Sequence, residues 1–500
     1  MESEKLKKSA LCLQFLATLI ISNLVCLIGF IYAWPSYTYA ILKSNETVLE
    51  APMTTGELSA VGSLTNIGAF LATPFCGYAL DKLGRKYAAM LFGLPFVIAW
   101  GIIAVTKSVY LVIFAVGIAG LGAGGQVVTT VYIAEICHDS IRGGLISSII
   151  YVFFIGLLIS YSLGGYLSYH HVVYVHLAQS ILYIVLLAFL KESPVFLMKR
   201  GKEEEAAEAI SFYHRIEINS KEMQVEIRKL KLQLDPKIIK MLESGGEDAS
   251  AEKLLEKSPS TTEKEEEHVL DVLVDIPNVP RRAHRALSPE RSESSRKALT
   301  TVLILMSLSI MMGSVALQVY AEPLFKEAVP TMDSNTCSIV LALVYLIACV
   351  IGAILVDKLG RKSLMTVTCA ICGVLTALLG SQLHLHYAPH WFTAFLMYGF
   401  SFAYNVGGGI VPYVVTAEVF LPEVRGLGNS CVMSFTWLSN FVVLIIFTPL
   451  VEAIGLGMSF YFFSVICFLT AVYSHFYLPE TKGLSVDVIQ KLFLKEKRTN

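Results

Sequence analysis

The stretch Asp81-Lys82-Leu83-Gly84-Arg85-Lys86 occurs a second time, unchanged, as Asp357-Lys358-Leu359-Gly360-Arg361-Lys362. Both copies lie in a short polar loop between two long apolar segments. A second motif is also duplicated, since a glutamate precedes an Arg-Gly pair by seven residues at Glu135 and Arg142 and again at Glu418 and Arg425. Two motifs repeated in the same order indicate a tandem duplication of one structural unit.

The composition indicates that this unit lies in a membrane. The chain has 500 residues, of which 55% are hydrophobic and 16% are charged, whereas soluble domains carry about 25% charged residues. A bilayer core about 30 Å thick needs roughly 20 apolar residues per helix. Apolar runs of that kind occur near 11–34, 58–80, 88–105, 109–134, 144–166, 171–190, 299–321, 336–356, 364–382, 390–416, 427–450 and 456–477. We therefore predict an all-α integral membrane protein with twelve transmembrane helices in two pseudo-symmetric six-helix bundles.

A polar stretch separates the two sets of six. The predicted segments are an N-terminal bundle, a cytoplasmic loop, a C-terminal bundle and a cytoplasmic tail, at 1–190, 191–297, 298–477 and 478–500. Within the loop, helical spacing at 199–243 predicts short amphipathic helices, and the polar composition of 244–297 predicts a disordered insert. Ser258 and Ser288 each precede proline, which is compatible with kinases or other cytoplasmic partners of the insert. The alternative is that such dipeptides occur by chance.

The basic residues predict the orientation, because Lys and Arg in short loops favour the cytoplasmic side. One set of loops and the N-terminus carry Lys5, Lys7, Lys8, Lys82, Arg85, Lys86, Arg142, Lys358, Arg361, Lys362 and Arg425, and the opposite set carries Lys43, Lys107 and Lys326. Both termini are therefore expected in the cytoplasm of a multi-pass plasma-membrane protein. The sequon Asn45-Glu46-Thr47 falls on the outer side, so Asn45 is the expected glycan acceptor.

The duplicated charges lie at helix ends on the cytoplasmic side. Opposite charges placed there could form ion pairs within and between the halves and hold the cytoplasmic ends together. We call the predicted set the latch: Asp81, Arg85, Glu135, Arg142, Asp357, Arg361, Glu418 and Arg425. The alternative is that these charges only orient the helices and mark the loops.

Several other function classes are disfavoured. The balance of 39 basic and 40 acidic residues provides no positive field for nucleic acid. The pair Cys369 and Cys372 lies within an apolar run without a nearby histidine, so core packing is preferred to a metal site. No arrangement of nucleophile, base and orienting group occurs, and the sequence predicts neither an enzyme nor a cofactor.

With these motifs in both halves, the chain resembles the sugar porters of the major facilitator superfamily. The resemblance also includes Glu192-Ser193-Pro194-Val195-Phe196-Leu197 after the sixth span and Pro479-Glu480-Thr481-Lys482-Gly483 after the last. Trp34-Pro35-Ser36 at the end of the first span is most similar to the insect facilitated trehalose transporter-like branch. On this resemblance, Glu192 and Glu480 complete the latch.

The resemblance also implies substrate-binding positions in the spans. At three of these positions the chain keeps the family's residue: Trp437, Asn440 and Tyr320. At the others a different residue stands in its place: Ser309, Ile310, Val315, Tyr345, Tyr413, Thr436 and Ile150. Further polar candidates are Gln126, Gln318 and Asn405. Ordinary hydrogen bonding between helices is the alternative for these three.

The family implies a facilitative transporter of a sugar or sugar-like small neutral solute in the lipid bilayer, working by alternating access. In the family, side-chain amides at several of these positions bind the sugar hydroxyls, and the replacements here remove most of them. This loss leaves two alternatives open: a nutrient sensor or scaffold with little carriage, or a carrier of a less polar metabolite. Ile31 stands at the acidic position of the proton-coupled branch, so we predict diffusion without proton coupling. Otherwise His176 or His475 would carry the proton.

Overall fold

The computed structural model describes residues 8–234, 289–421, 425–484 and 486–495. The N-terminal half contains α1 (Lys8–Lys43), α2 (Thr55–Leu83), α3 (Arg85–Val105), α4 (Val109–Ala123), α5 (Gln126–Ile136), α6 (Asp139–Ser147), α7 (Ile149–Tyr166) and α8 (Tyr169–Ala188). It is followed by the short helices α9 (Pro194–Lys199), α10 (Glu203–His214) and α11 (Lys221–Leu234).

The C-terminal half repeats this arrangement. It contains α12 (Pro289–Met311), α13 (Ser314–Val319), α14 (Ala321–Ala328), α15 (Ser334–Leu359), α16 (Arg361–Leu385), α17 (His390–Val406), α18 (Val411–Val419), α19 (Arg425–Ile454) and α20 (Leu456–Tyr477), with α21 (Val486–Lys495) at the end. Eleven helical segments of the described chain are long and apolar enough to cross a membrane, with α4–α5, α6–α7 and α17–α18 each counted as one.

The seventh predicted span is not among these eleven, and in the structure it is broken. Gly313 has φ +91°, a backbone conformation that residues with a Cβ rarely adopt, and it separates α12 from α13. Tyr320 then separates α13 from α14. With this broken segment, each half has six spans, as predicted. Discontinuous membrane helices of this kind commonly line solute sites.

The first span is longer than predicted. We expected it to end at Trp34, but α1 continues through Pro35 to Lys43. Proline removes one backbone hydrogen bond from a helix. Contacts on both sides of Pro35 offset this loss, since Trp34 packs edge-on against Trp100 and the Tyr37 hydroxyl lies 3.0 Å from that of Ser160.

The polar region between the halves differs from the prediction at its end. Residues 289–297, expected to be disordered, form the start of α12. Proline at the helix start and the Glu293–Lys297 ion pair of 3.2 Å, one turn apart, both favour helix there. The rest of the predicted insert, including Ser258 and Ser288, lies outside the described residues.

Both ends of the described chain lie on the side of the duplicated loops, which we call the motif face. Near the N-terminus, Gln14 of α1 donates to the Tyr213 carbonyl of α10 at 3.2 Å and accepts from the His138 amide at 2.9 Å. Near the C-terminus, Gln490 of α21 donates to the Val419 carbonyl of α18 at 2.5 Å. The opposite side carries Asn45, and we call it the sequon face.

Candidate functional site

The latch residues of the N-terminal half form a compact cluster at the motif face. Arg85, at the start of α3, pairs with Glu135 at 2.6 Å, and their side chains are only 5% and 15% exposed. The other Glu135 oxygen accepts a short hydrogen bond from the Ser193 hydroxyl. The cluster therefore ties α3 and α5 to the start of α9.

Glu192 is held by backbone rather than by a cation. Its carboxylate accepts from the amides of Arg85 at 2.8 Å, Lys86 at 3.1 Å and Ser193 at 2.7 Å. Burial raises the pKa of this carboxyl, and the three amides and the Arg85 charge oppose that rise. Gly84 must remain glycine, because its φ is +91° and a Cβ would lie 2.5 Å from a Glu192 oxygen.

The C-terminal half reproduces this cluster. Arg361 pairs with Glu418 at 2.7 Å, and Thr481 donates to the second Glu418 oxygen at 2.6 Å. Glu480 accepts from the Arg361 amide at 2.9 Å. The C-terminal cluster adds the Asp357–Arg361 pair of 3.1 Å. The duplication therefore extends to hydroxyl donors that the sequence analysis missed, although both stand in the quoted motifs, beside Glu192 and Glu480.

The remaining latch residues are placed differently. The Asp81 carbonyl accepts from the Arg200 guanidinium at 3.1 Å. Arg142 donates to the Cys137 carbonyl at 3.4 Å, and the side chain of Arg425 lies outside the described residues. The Arg85 and Arg361 ion pairs each join residues of one half. Pairing between the halves stays a prediction.

The halves are joined to each other near the sequon face. Glu452 of α19 accepts from the Thr55 hydroxyl of α2 at 2.6 Å and lies 3.8 Å from Lys43 of α1. The Glu322 amide of α14 donates to the Ser36 hydroxyl at 2.8 Å. These contacts span the seam between the halves and close it on this side.

Tyr320 belongs to the same closure. It is 2% exposed, and its ring stacks on Phe447 at 5.7 Å and meets Tyr39 edge-on at 6.3 Å. A Cβ added at Gly62 of α2 would lie 2.2 Å from the Tyr320 hydroxyl. Tyr320, a predicted substrate residue, therefore lies at the contact between the two halves.

The other predicted substrate residues fall into two groups. Ser309, Thr436 and Asn405 are buried and donate to carbonyls of Gly408, Val432 and Ser401. Tyr413 is 44% exposed, Trp437 is 7% exposed and Gln318 is 9% exposed, while Gln126 and Asn440 are partly buried. Tyr413, Gln126 and Asn440 therefore keep accessible surface, whereas Trp437 and Gln318 are nearly buried.

Tyr345 lies in a polar group that the sequence analysis missed. Its hydroxyl is close to those of Ser314 and Ser401, and all three residues are fully buried. Among the described residues, none of the three hydroxyls makes a well-formed hydrogen bond. No spacing in the sequence marks this group, because its members come from α13, α15 and α17.

Tyr32 was also missed. It donates a short hydrogen bond to Asn66 of α2. Asn66, a fully buried amide within a span, was the available signal. Within the described part of the chain, no group of three or more His, Cys, Asp or Glu residues could hold a metal ion.

Two repeated halves of membrane-crossing helices, joined by polar contacts near the sequon face and containing buried polar groups, define a membrane transporter built from two six-helix bundles. The sequence profile of sugar (and other) transporters matches residues 10–245 and 241–493. The chain belongs to this family. The resemblance drawn from the motifs, the predicted fold and the prediction of a transporter rather than an enzyme are thereby confirmed.

Individual proteins show the same likeness. The facilitated trehalose transporter Tret1 of Polypedilum vanderplanki is 26% identical over 96% of this chain and 87% of its own length. The Tret1-2 homolog of Drosophila sechellia is 25% identical over 96% and 90%. The inward-open structure of the xylose transporter XylE from E. coli matches with a TM-score of 0.73 at 20% identity, covering 96% of this chain and 99% of XylE.

Proposed function

We propose that the protein is a facilitative transporter that carries a sugar or sugar-like small neutral solute by alternating access, with the motif face in the cytoplasm. One observation carries the proposal. The halves are joined at the sequon face by Glu452, Glu322 and Tyr320, whereas the Arg85 and Arg361 clusters at the motif face each stay within one half. Two internally braced bodies whose described ion pair and charged-residue contacts with each other lie near one face are suited to rocking about a site between them.

The solute site proposed here lies between the halves and includes Tyr413, Trp437, Asn440 and Gln126. Aromatic faces and amides can replace the water around a polyol. The relatives named above are facilitated trehalose transporters, so trehalose and its monosaccharide are the first solutes to test. Ile310 and Val315 remain buried apolar residues, which supports a less polar solute as the second candidate.

Facilitated diffusion is supported by the positions of His176 and His475, the two histidines that could carry a proton. His176 is fully buried, with the hydroxyls of Tyr37 and Ser160 at 3.1 and 3.2 Å from its Nε2. His475 is exposed near the end of α20. Neither lies among the proposed solute residues.

The test is uptake of labelled trehalose, glucose, glycerol and an amphipathic metabolite into vesicles that contain the purified full chain. We expect saturable uptake of one solute that stops at the external concentration and is unaffected by a protonophore. Trp437→Ala should lower uptake without lowering protein yield. Concentrative, protonophore-sensitive uptake would contradict facilitated diffusion, and binding without uptake of any solute would favour a sensor.

A further inference from the structure

A cavity of about 470 Å³ opens at the sequon face over the seam between the two halves. Its charged wall comes from both halves: Lys43 of α1, Glu322, Lys326 and Glu327 of α14, and Glu452 of α19. The solute residues Tyr413, Trp437, Asn440 and Gln126 are not among those that line it. The cavity is therefore separate from the proposed solute site.

The cavity depends on the closed seam. Lys43 and Glu452 face each other across it at 3.8 Å, and the Glu322 amide bonds Ser36 of the opposite half. The Glu322 carboxyl therefore belongs to the same residue as the amide that joins the two halves at Ser36. When the seam opens, the wall separates and water reaches this carboxyl from the side of α1.

The charges around Glu322 do not neutralise it. Lys326 lies one turn along the same helix, and the acidic neighbours are Glu327 on α14, Asp333 in the next loop and Glu452 on α19. Lys43, the cation contributed by α1, is engaged with Glu452. An ionised Glu322 would add a negative charge to a site whose acids already outnumber its lysines.

Burial in this site raises the pKa of Glu322 to about 7, with Lys326 lowering it and Asp333 raising it further. Opening the seam removes the burial, so the pKa should return toward its ordinary value. A group whose pKa is higher in one state stabilises that state when it is protonated. Acidification through pH 7 therefore favours the closed seam, and this effect is lost as the pH rises above 7.

We propose that Glu322 is a proton-binding site that holds the sequon-face closure shut when it is protonated. The proton binds from the solution at the sequon face and sets the balance between the two orientations of the carrier. It does not cross the membrane with the solute. The inference rests on the alternating access proposed above, but not on the identity of the solute.

The test uses a reporter cysteine at Val315, which is 9% exposed and lies on the solute side of the closure. The exposed Cys12 and Cys431 are first replaced by serine. A membrane-impermeant maleimide is applied from the sequon face at pH 6 to 8, with the pH on the other side held constant. Labelling is divided by that of an Ala40→Cys reporter, which is already exposed at the cavity, so that the pH dependence of the maleimide reaction cancels.

We expect normalised labelling of Val315→Cys to fall about three- to tenfold from pH 8 to pH 6. Glu322→Gln, which resembles the protonated side chain, should give low labelling with no pH dependence. Glu322→Asp should keep a pH dependence if the glutamine variant fails to fold. Glu50→Gln removes an exposed carboxylate on the same face and should change nothing.

A flat profile in the unmodified carrier, or a pH dependence that survives Glu322→Gln, would overturn the proposal. Labelling needs no solute, so failure to find a transported sugar leaves this result valid. A reporter that is never labelled from the sequon face would refute alternating access, and this inference with it. A pH response of labelling together with proton uptake during transport would instead show coupling and overturn the regulatory role.

Discussion

Replacing Arg85 with methionine should be among the most destabilising single changes at the motif face. The arginine side chain is 5% exposed and its partner Glu135 is 15% exposed at a distance of 2.6 Å. Removing one member of a buried ion pair leaves the other charge desolvated, which costs about 3–5 kcal/mol in the free energy of unfolding. Ser193 would remain as one neutral donor to Glu135, which offsets only part of this cost.

The C-terminal half offers a matched comparison. Glu418 is 27% exposed, and Arg361→Met would leave it with Thr481 and better access to water. Asp357, the second acidic partner of Arg361, is 74% exposed. The expected loss is therefore smaller, on the order of 1–3 kcal/mol.

The measurement is thermal unfolding of the detergent-purified protein for Arg85→Met, Arg361→Met, Glu135→Gln and the double variant Arg85→Met/Glu135→Gln. The Arg85 variant should lower the unfolding temperature more than the Arg361 variant. The double variant should recover part of the loss, because it removes both buried charges. Equal losses in the two halves, or a double variant less stable than either single one, would refute this account of the clusters.

Other changes test the closure, the buried hydroxyls and the orientation. Gly62→Trp should prevent the sequon face from closing against Tyr320 and abolish uptake, whereas Gly77→Trp on the same helix, with open space around it, should transport normally. Tyr345→Phe removes a buried hydroxyl without a well-formed hydrogen bond and should leave stability unchanged or raise it by about 1 kcal/mol in thermal unfolding; a loss of several degrees would contradict this. Asn45→Gln should remove any N-linked glycan seen by glycosidase digestion, and a shift that persists in the variant would contradict the proposed orientation.

The sequence predicted those features that depend on local patterns. Long apolar runs specify spans because, inside a bilayer, a helix can satisfy all the hydrogen bonds of its own backbone. The duplicated motifs placed Arg85 and Arg361 at corresponding ends of the two halves. Glu135 and Glu418 could be assigned to the same face as these arginines, because the glutamate motif is also repeated once in each half.

Features that depend on contacts between distant segments were not predicted. The continuation of α1 past Pro35 depends on Trp100 and Ser160, far along the chain. The hydroxyls around Tyr345 come from three separate helices. Glu322 was not among the predicted functional residues, because its surroundings depend on how α1 and α19 close over it.

The capture of Glu192 and Glu480 by backbone amides has a consequence for how the two halves are connected. Each glutamate ties the end of its own half back to the start of that half's third span, so the Arg85 and Arg361 ion pairs are each braced within one half. The connection between Leu234 and Pro289 is then free to differ in length without altering either cluster. The two halves can in principle be supplied as separate polypeptides that assemble through the contacts of α2 with α19, of α7 with α15, and of α1 with α13 and α14.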